Sequence, residues 1–206
     1  MILQEAPSWV PARVGLLTGS VMAKAIAKTK DGKWAASRKD LLFEKLAERL
    51  TGVAADHFVS PAMQWGLDNE AAAKSLLEAS QGIFVDRAGF CLHPTIEYFG
   101  ATADGFIDND GVLEIKCPTT KTHLTYLTNR KVPSEYVPQM LAEMACSKRT
   151  WALFASYDPR MPPAQQLFIT KFEPTAEQIA ECEDQAREFL AELEAMFRQI
   201  TEQEAA

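Results

Sequence analysis

The pattern of apolar and polar positions changes character along the chain. In the first 82 residues apolar side chains recur with a helical period, which predicts helices over 20–28, 37–50 and 61–80. Ser60 followed by Pro61 is a typical helix start, and Gly52 and Gly82 are typical helix stops. The chain before residue 83 is therefore predicted to contain three helices.

From residue 83 the pattern indicates short strands. Segments 83–91, 96–107 and 111–117 are rich in β-branched and aromatic residues, and Asn109-Asp110-Gly111 predicts a hairpin turn because these residues tolerate positive φ. Helices are predicted at 119–129, 134–146 and 175–201, with strands at 150–157 and 165–172. This order predicts one α/β domain over residues 1–206, with a mixed central β-sheet flanked by helices.

Charge and cysteine usage narrow the class of protein. The net charge of −7 is unevenly spread, because two mildly basic segments, 1–60 and 111–171, flank an acidic centre and the last helix is acidic. An overall basic nucleic-acid binder is excluded, whereas a basic groove around a carboxylate site is not. No apolar stretch could span a membrane, and the N-terminus does not resemble a secretory signal. Four scattered cysteines without a C-x-x-C pair predict reduced thiols in a cytoplasm.

The segment TADGFIDNDGVLEIKCP, residues 102–118, carries the candidate chemistry. Side chains alternate along a strand, so Glu114 and Lys116 point to the same face. Pairing through the predicted hairpin would bring Asp104 alongside Glu114. Two carboxylates so close repel each other unless a cation intervenes, and oxygen ligands favour Mg²⁺ or Mn²⁺. A lysine beside such an ion suits metal-assisted phosphodiester hydrolysis.

Other interpretations of this segment remain open on the residues alone. A Glu-x-Lys pattern in a strand is more often a solvent-facing ion pair on a sheet. A calcium loop built on Asp104, Asp108 and Asp110 is disfavoured because Phe106 occupies its third position and no acidic residue closes it. Asp108 and Asp110 are therefore interpreted as turn residues.

Five segments together resemble a known family. Segment 102–118 resembles the PD-(D/E)-x-K, restriction-endonuclease-like nuclease core. With 9–20, 62–78, 136–144 and 154–161 it resembles the lambda-exonuclease type of phage recombination nuclease, the YqaJ-like viral recombinase family. These segments span nearly the whole chain. The family's proline before the aspartate is Ala103 here, and the middle residue of its Thr-Ala-Ser is Gly19.

The resemblance implies a function and partners. Members of this family degrade linear double-stranded DNA from 5′ ends and leave 3′ overhangs for homologous recombination by strand annealing. The resemblance implies Mg²⁺, with Mn²⁺ able to substitute, at two ions per site. It further implies a homotrimeric ring, a single-strand annealing protein as partner, 5′-phosphorylated ends as substrate, and a phage or prophage gene in a bacterial host.

The resemblance also assigns roles to residues of this chain. The implied metal ligands are Asp104, Glu114, the backbone carbonyl of Ile115 and, near the second ion, Glu70. Lys116 serves the attacking water, and Gln139 orients groups at the site. Without the resemblance, Glu70 would be interpreted as a solvent-facing helix residue.

DNA-contacting residues are assigned in the same way. The implied 5′-phosphate pocket consists of Arg13, Ser20 and Thr102, and Met63 is implied to wedge between terminal bases. On the residues alone, Arg13 is a solvated arginine, Ser20 a helix cap and Met63 a core residue. Arg160 is expected to contact the DNA backbone or to brace a loop or subunit contact. A site-specific endonuclease of the same superfamily and a non-catalytic DNA-end-binding module remain as alternative functions.

Overall fold

A computed structural model of the chain describes residues 13–55 and 59–202. Its strands are β1 Leu17–Thr18, β2 Val85–Asp86, β3 Cys91–Leu92, β4 Phe99–Ala101, β5 Gly105–Ile107, β6 Gly111–Lys116, β7 Trp151–Tyr157 and β8 Leu167–Phe172. Its α-helices are α1 Met22–Ala25, α2 Ala36–Thr51, α3 Pro61–Gln81, α4 Thr120–Asn129, α5 Val137–Ser147 and α6 Ala176–Glu202. The predicted α/β class, with a mixed sheet flanked by helices, is confirmed.

The strands form two sheets rather than the single sheet predicted. The larger has the order β2-β5-β6-β7-β8, in which only β6 and β7 are parallel, and the smaller has the order β1-β4-β3. The predicted strand 96–107 is interrupted at residues 102–104, which separate β4 of the smaller sheet from β5 of the larger one. There the side chain of Asp104, through Oδ2, accepts a hydrogen bond from the backbone N–H of Ile115 at 2.6 Å.

Helices cover both faces of the larger sheet. On one face, Ala73 and Leu77 of α3 pack against Leu113 and Ile115 of β6. On the other, α4 and α5 contribute a second cluster with residues of β6 and β7, including Tyr126, Met140, Met144, Val112 and Phe154. The small sheet packs with α1, α2, α5 and α6 in a third cluster. Alternate residues of β6 therefore face different helices, and α5 lies between the two sheets.

Several predicted helix ends are confirmed and others are wrong. Ser60 caps α3 by accepting a hydrogen bond from the Met63 N–H at 3.2 Å, and α3 ends at Gly82 in the left-handed conformation. Helix α2 begins at Ala36, one residue before the predicted start, and Ser37 lies inside its first turn. The predicted helix 20–28 is only a 3-10 turn, Gly19–Val21, followed by the four residues of α1.

The hairpin between β5 and β6 forms as predicted, but its backbone differs. Its loop is residues 108–110, and the left-handed residue is Asp108, with φ of 49°. Gly111 is required for space, because a Cβ there would lie 2.3 Å from the ring of Trp151 on the neighbouring strand. The guanidinium of Arg149 donates to the carbonyls of Ile107, Asp108 and Gly111 at 2.9–3.3 Å and secures the turn.

We expect Gly111→Ala to destabilise the protein by about 1–3 kcal/mol, because the added methyl group overpacks the contact with Trp151. Gly66→Ala is the matched control, since nothing lies within 4 Å of a Cβ at that position in α3. It should stabilise the helix by about 0.5–1 kcal/mol. Urea unfolding measures both changes. Equal effects of the two substitutions would contradict the packing at Gly111.

Candidate active site

The β5–β6 hairpin brings two carboxylates together. Gly105 pairs with Leu113, so Asp104 lies at the next position along the ladder, opposite Glu114. The Asp104 N–H donates to the Leu113 carbonyl at 2.9 Å. Together with the bond from the Ile115 N–H, this holds the Asp104 side chain at the end of the sheet.

Lys116 lies on the same face of β6 as Glu114. Its ammonium forms an ion pair with Oε1 of Glu114, a side chain that is fully buried. The Lys116 Nζ also lies 5.0 Å from the centroid of the Tyr136 ring, a distance at which the cation is attracted to the ring face. Alternation along one strand thus places a carboxylate and an ammonium in contact inside the protein.

A further buried carboxyl group joins this cluster from α5. The side chain of Glu143 is 2% exposed, and its Oε1 accepts a hydrogen bond from Nε2 of Gln139 at 2.9 Å. The negative charge of Glu114 also acts on the Glu143 carboxyl group. Sequence reasoning missed this residue because it lies in an apolar helix segment. The available signal was its position four residues after Gln139, which places both on one helix face.

The electrostatics of the cluster are dominated by excess negative charge. Burial and the neighbouring charge of Glu114 raise the pKa of Asp104 and that of Glu143 well above their usual range. Burial works to lower the pKa of Lys116, but the charges of Glu114 and Asp104 outweigh it and raise that pKa. Lys116 is therefore a cation at neutral pH, and one ammonium faces three carboxyl groups.

Glu70 approaches this cluster from α3 across a cleft of about 390 Å³. The cleft is lined by α3 residues, including Met63 and Glu70, and by Asp104, Ile115, Lys116 and Tyr136. Burial and the charge of Glu114 raise the pKa of Glu70, with Lys116 opposing them. Glu70 is half-buried and faces the cleft, so the interpretation as a solvent-facing helix residue is wrong.

The donor set suits a hard divalent cation. Apart from the ion pair with Lys116, both carboxylate oxygens of Glu114 and one of Glu143 are buried without a hydrogen-bond partner among the described residues. Carboxylate oxygens without hydrogen-bond partners are available to bind a cation, and Mg²⁺ is a cation that prefers oxygen ligands. Within residues 13–55 and 59–202, no three acidic, histidine or cysteine side chains converge closely enough to enclose a metal. A bound ion would therefore need backbone carbonyls and water as well.

A second cavity, of about 430 Å³, adjoins the cleft. Its lining includes Arg13, Ser20, Lys24 and Met63, so Met63 contributes to both spaces. Met63 is 53% exposed, which rules out core packing. Ser20 lies inside the 3-10 turn and does not cap a helix, and its hydroxyl lies 3.3 Å from that of Thr18.

The remaining predicted contacts are placed differently. Thr102 is not among the residues that line the second cavity, and its hydroxyl is buried with no hydrogen-bond partner in the described part of the chain. Arg13 is half-buried, and burial lowers its pKa while Glu48 opposes that shift. The side chain of Arg160 binds Asp158 within its own loop.

Residues 8–150 match the family model described as the YqaJ-like viral recombinase domain. The chain belongs to the YqaJ-like viral recombinase family. It is 38% identical to LHK-Exo, an alkaline exonuclease from Laribacter hongkongensis, over 97% of this chain and 98% of that chain. The TM-score is 0.90 for the LHK-Exo complex with dAMP and 0.89 for the other LHK-Exo structure.

A more distant structure agrees with this fold. A phage-related exonuclease from Haemophilus somnus is 13% identical over 90% of this chain and 96% of that chain, with a TM-score of 0.68, and shows a shared fold alone. No curated protein sequence matches the chain significantly. None of the described helices of this YqaJ-like protein is long and apolar enough to cross a membrane.

The raised pKa of Glu143 predicts a pH dependence of stability. The folded protein holds this proton above the pH at which the unfolded carboxyl group releases it, so the free energy of unfolding should fall as pH rises from about 4. Each retained proton contributes a slope of up to about 1.4 kcal/mol per pH unit. Glu143→Gln should flatten this slope between pH 5 and pH 8 in metal-free buffer.

Glu188→Gln is the control for that measurement, because Glu188 is exposed on α6. Its profile of unfolding free energy against pH should run parallel to that of the wild type. A Glu143→Gln profile that also runs parallel to the wild type would show that Glu143 does not retain its proton.

Proposed function

We propose that this protein is an exonuclease that depends on a divalent metal and degrades linear double-stranded DNA from its 5′ ends. The product is a 3′ overhang suited to homologous recombination by strand annealing. Family membership and the full-length similarity to an alkaline exonuclease support the nuclease activity. The convergence of Asp104, Glu114 and Lys116 beside the cleft, whose lining includes Asp104 and Lys116, is the observation that carries the proposal.

Each residue has a role in this proposal. Asp104, Glu114 and the backbone carbonyl of Ile115 would hold Mg²⁺ or Mn²⁺, and Glu70 across the cleft would hold a second ion. When bound, the metal lowers the pKa of water and stabilises the charge that develops on the phosphate. The charges of Glu114 and Asp104 raise the pKa of Lys116, so its ammonium would align the attacking water as a hydrogen-bond donor.

The second cavity would receive the 5′ end. A terminal phosphate carries up to two negative charges, and the guanidinium of Arg13 with the hydroxyl of Ser20 offers donors to it. Thr102 remains a proposed contributor, although it lies outside the cavity lining. Met63 stands between the two spaces and is exposed enough to insert beside the terminal base pair, at an unstacking cost of a few kcal/mol.

Assembly and partner follow from the family. We propose a homotrimeric ring that encloses the duplex and a single-strand annealing protein that takes up the exposed strand. A ring would reconcile the net charge of −7 with DNA binding, because only charges that face the channel act on the duplex.

A linear duplex labelled at either end tests reaction, polarity and metal together. With Mg²⁺, label at a 5′ end should be released early in small products, while label at a 3′ end should stay in long single strands. EDTA, which removes the metal, should prevent both the release of the 5′ label and the formation of single strands. Early release of the 3′ label would contradict the proposed polarity, and cutting of closed circular DNA at defined positions would indicate an endonuclease.

Lys116→Ala should lower kcat about 10²–10⁴-fold, the usual contribution of a positioned proton-handling group. Lys171→Ala is the matched control, since Lys171 lies on β8 and pairs with the exposed Glu173. It should retain the wild-type rate. Circular dichroism checks that both variants fold. A Lys116→Ala protein with a near-normal rate would rule out the proposed chemistry.

Arg13→Ala should remove the preference for 5′-phosphorylated ends. A charge-assisted hydrogen bond contributes about 1.5–3 kcal/mol, which corresponds to roughly 10- to 100-fold in kcat/KM on phosphorylated duplex. The rate on 5′-hydroxyl duplex, which lacks the phosphate, is the internal control and should be unchanged. If the variant still distinguishes the two ends as the wild type does, the pocket lies elsewhere.

A further inference from the structure

The loop after β7 contains an ion pair between a buried carboxylate and a partly exposed guanidinium. The carboxylate of Asp158 is fully buried, and Arg160 binds it through a two-pronged contact, Nε to Oδ1 at 2.7 Å and Nη2 to Oδ2 at 3.0 Å. The Arg160 backbone N–H also donates to Oδ1 at 3.0 Å. Such a fork holds the guanidinium in one plane and one orientation.

That orientation brings Arg160 to both walls of the cleft. Its Nη2 donates to the carbonyl of Pro118 at 3.2 Å, two residues after Lys116. Its Cζ lies 4.5 Å from the centroid of the Trp65 ring on α3. Strands β6 and β7 are parallel neighbours, so their carboxyl ends lie at the same edge of the sheet. Arg160, which follows β7, can therefore reach Pro118, which follows β6.

We propose that Arg160 is a positioning residue that ties the end of β6 to α3 and so fixes the width of the catalytic cleft. Its guanidinium acts within the protein rather than on the DNA backbone. The inference rests on the proposed function, because the cleft matters only if catalysis occurs there.

The position of Trp65 explains why this contact matters for the site. Trp65 lies on α3 between Met63 and Glu70, and its carbonyl accepts a hydrogen bond from the side chain of Asn69 at 2.9 Å. A shift of α3 away from β6 would carry Met63 and Glu70 away from Lys116. Helices move as rigid units in a packed protein, so a lost contact at Trp65 is transmitted along α3.

The contacts of Arg160 with Asp158, Pro118 and Trp65, which together we call the brace, should persist across the working pH range. Burial works to raise the pKa of Asp158, but the hydrogen bonds from Arg160 outweigh it and lower that pKa to about 2. The guanidinium also faces the Trp65 ring and the Pro118 carbonyl, neither of which titrates. Lysine would keep the charge but could not form the fork and the planar stack together.

The test combines rates with DNA binding. Arg160→Lys and Trp65→Leu should each lower kcat at least about tenfold with little change in KM. The double variant should be no slower than the slower single variant, since the two substitutions remove the same contact between Arg160 and Trp65. Trp65→Phe, which keeps an aromatic ring, should recover most of the rate. Arg198→Lys is the control, because Arg198 is an exposed arginine paired within α6, and it should match the wild type.

Binding of 5′-phosphorylated duplex without divalent ions separates the brace from a DNA contact. Losing one phosphate contact lowers the slope of log Kd against log salt by about one. Arg160→Gln should leave that slope unchanged, as Arg198→Gln should. A slope lowered by about one in Arg160→Gln alone, or losses that add in the double variant, would overturn the proposal.

These outcomes also distinguish this inference from the proposed function. A wild-type protein without nuclease activity would refute the function. The coupling between Trp65 and Arg160 would still be measured as non-additive free energies of unfolding, and the salt slope would still report on DNA contact. Normal wild-type activity with unaffected Arg160→Lys and Trp65→Leu variants would refute the brace alone.

Discussion

Repulsion among buried carboxyl groups is the constraint on which the site depends. The charges of Asp104, Glu114 and Glu143 all act on a single ammonium, that of Lys116, and burial in a low-dielectric interior makes each uncompensated charge costly. Burial and the charge of Glu114 raise the pKa of Asp104 and that of Glu143, which favours retention of protons on these groups when no cation is bound. A fold that maintains such a cluster gains little stability from it, which is why we interpret it as a site prepared for a divalent ion.

The rest of the fold places this cluster beside the cleft between α3 and the end of β6. Strand β6 lies in the middle of the large sheet, with α5 supplying Glu143 on one face and α3 supplying Glu70 across the cleft. Met63 stands where the cleft meets the Arg13 cavity, so a single segment of α3 contributes to both spaces. The proposed chemistry and the proposed recognition of the 5′ end are therefore coupled through the position of one helix.

Local rules predicted the parts of the site that lie close in sequence. A period of two placed Glu114 and Lys116 on one face, and a short turn brought Asp104 beside them. Glu143 and the contact of Arg160 with Trp65 were not predicted, because they depend on how α5 and α3 pack against the sheet. The second sheet was missed because the predicted strand 96–107 is interrupted at residues 102–104, where the Asp104 side chain accepts the hydrogen bond from the Ile115 N–H. The left-handed residue likewise fell on Asp108, since Gly111 is used for space beside Trp151.

Calorimetric titration with Mg²⁺ and with Mn²⁺ in two buffers of different ionisation enthalpy tests the central claim most directly. Metal ligands must be deprotonated, so binding should displace the protons retained by the cluster, and the measured heat should differ between the buffers. We expect the wild-type protein to bind the ion and to release protons as it does so. The Glu114→Gln variant should show neither ion binding nor proton release. Binding of equal strength in Glu114→Gln, or no binding by the wild type, would contradict the account.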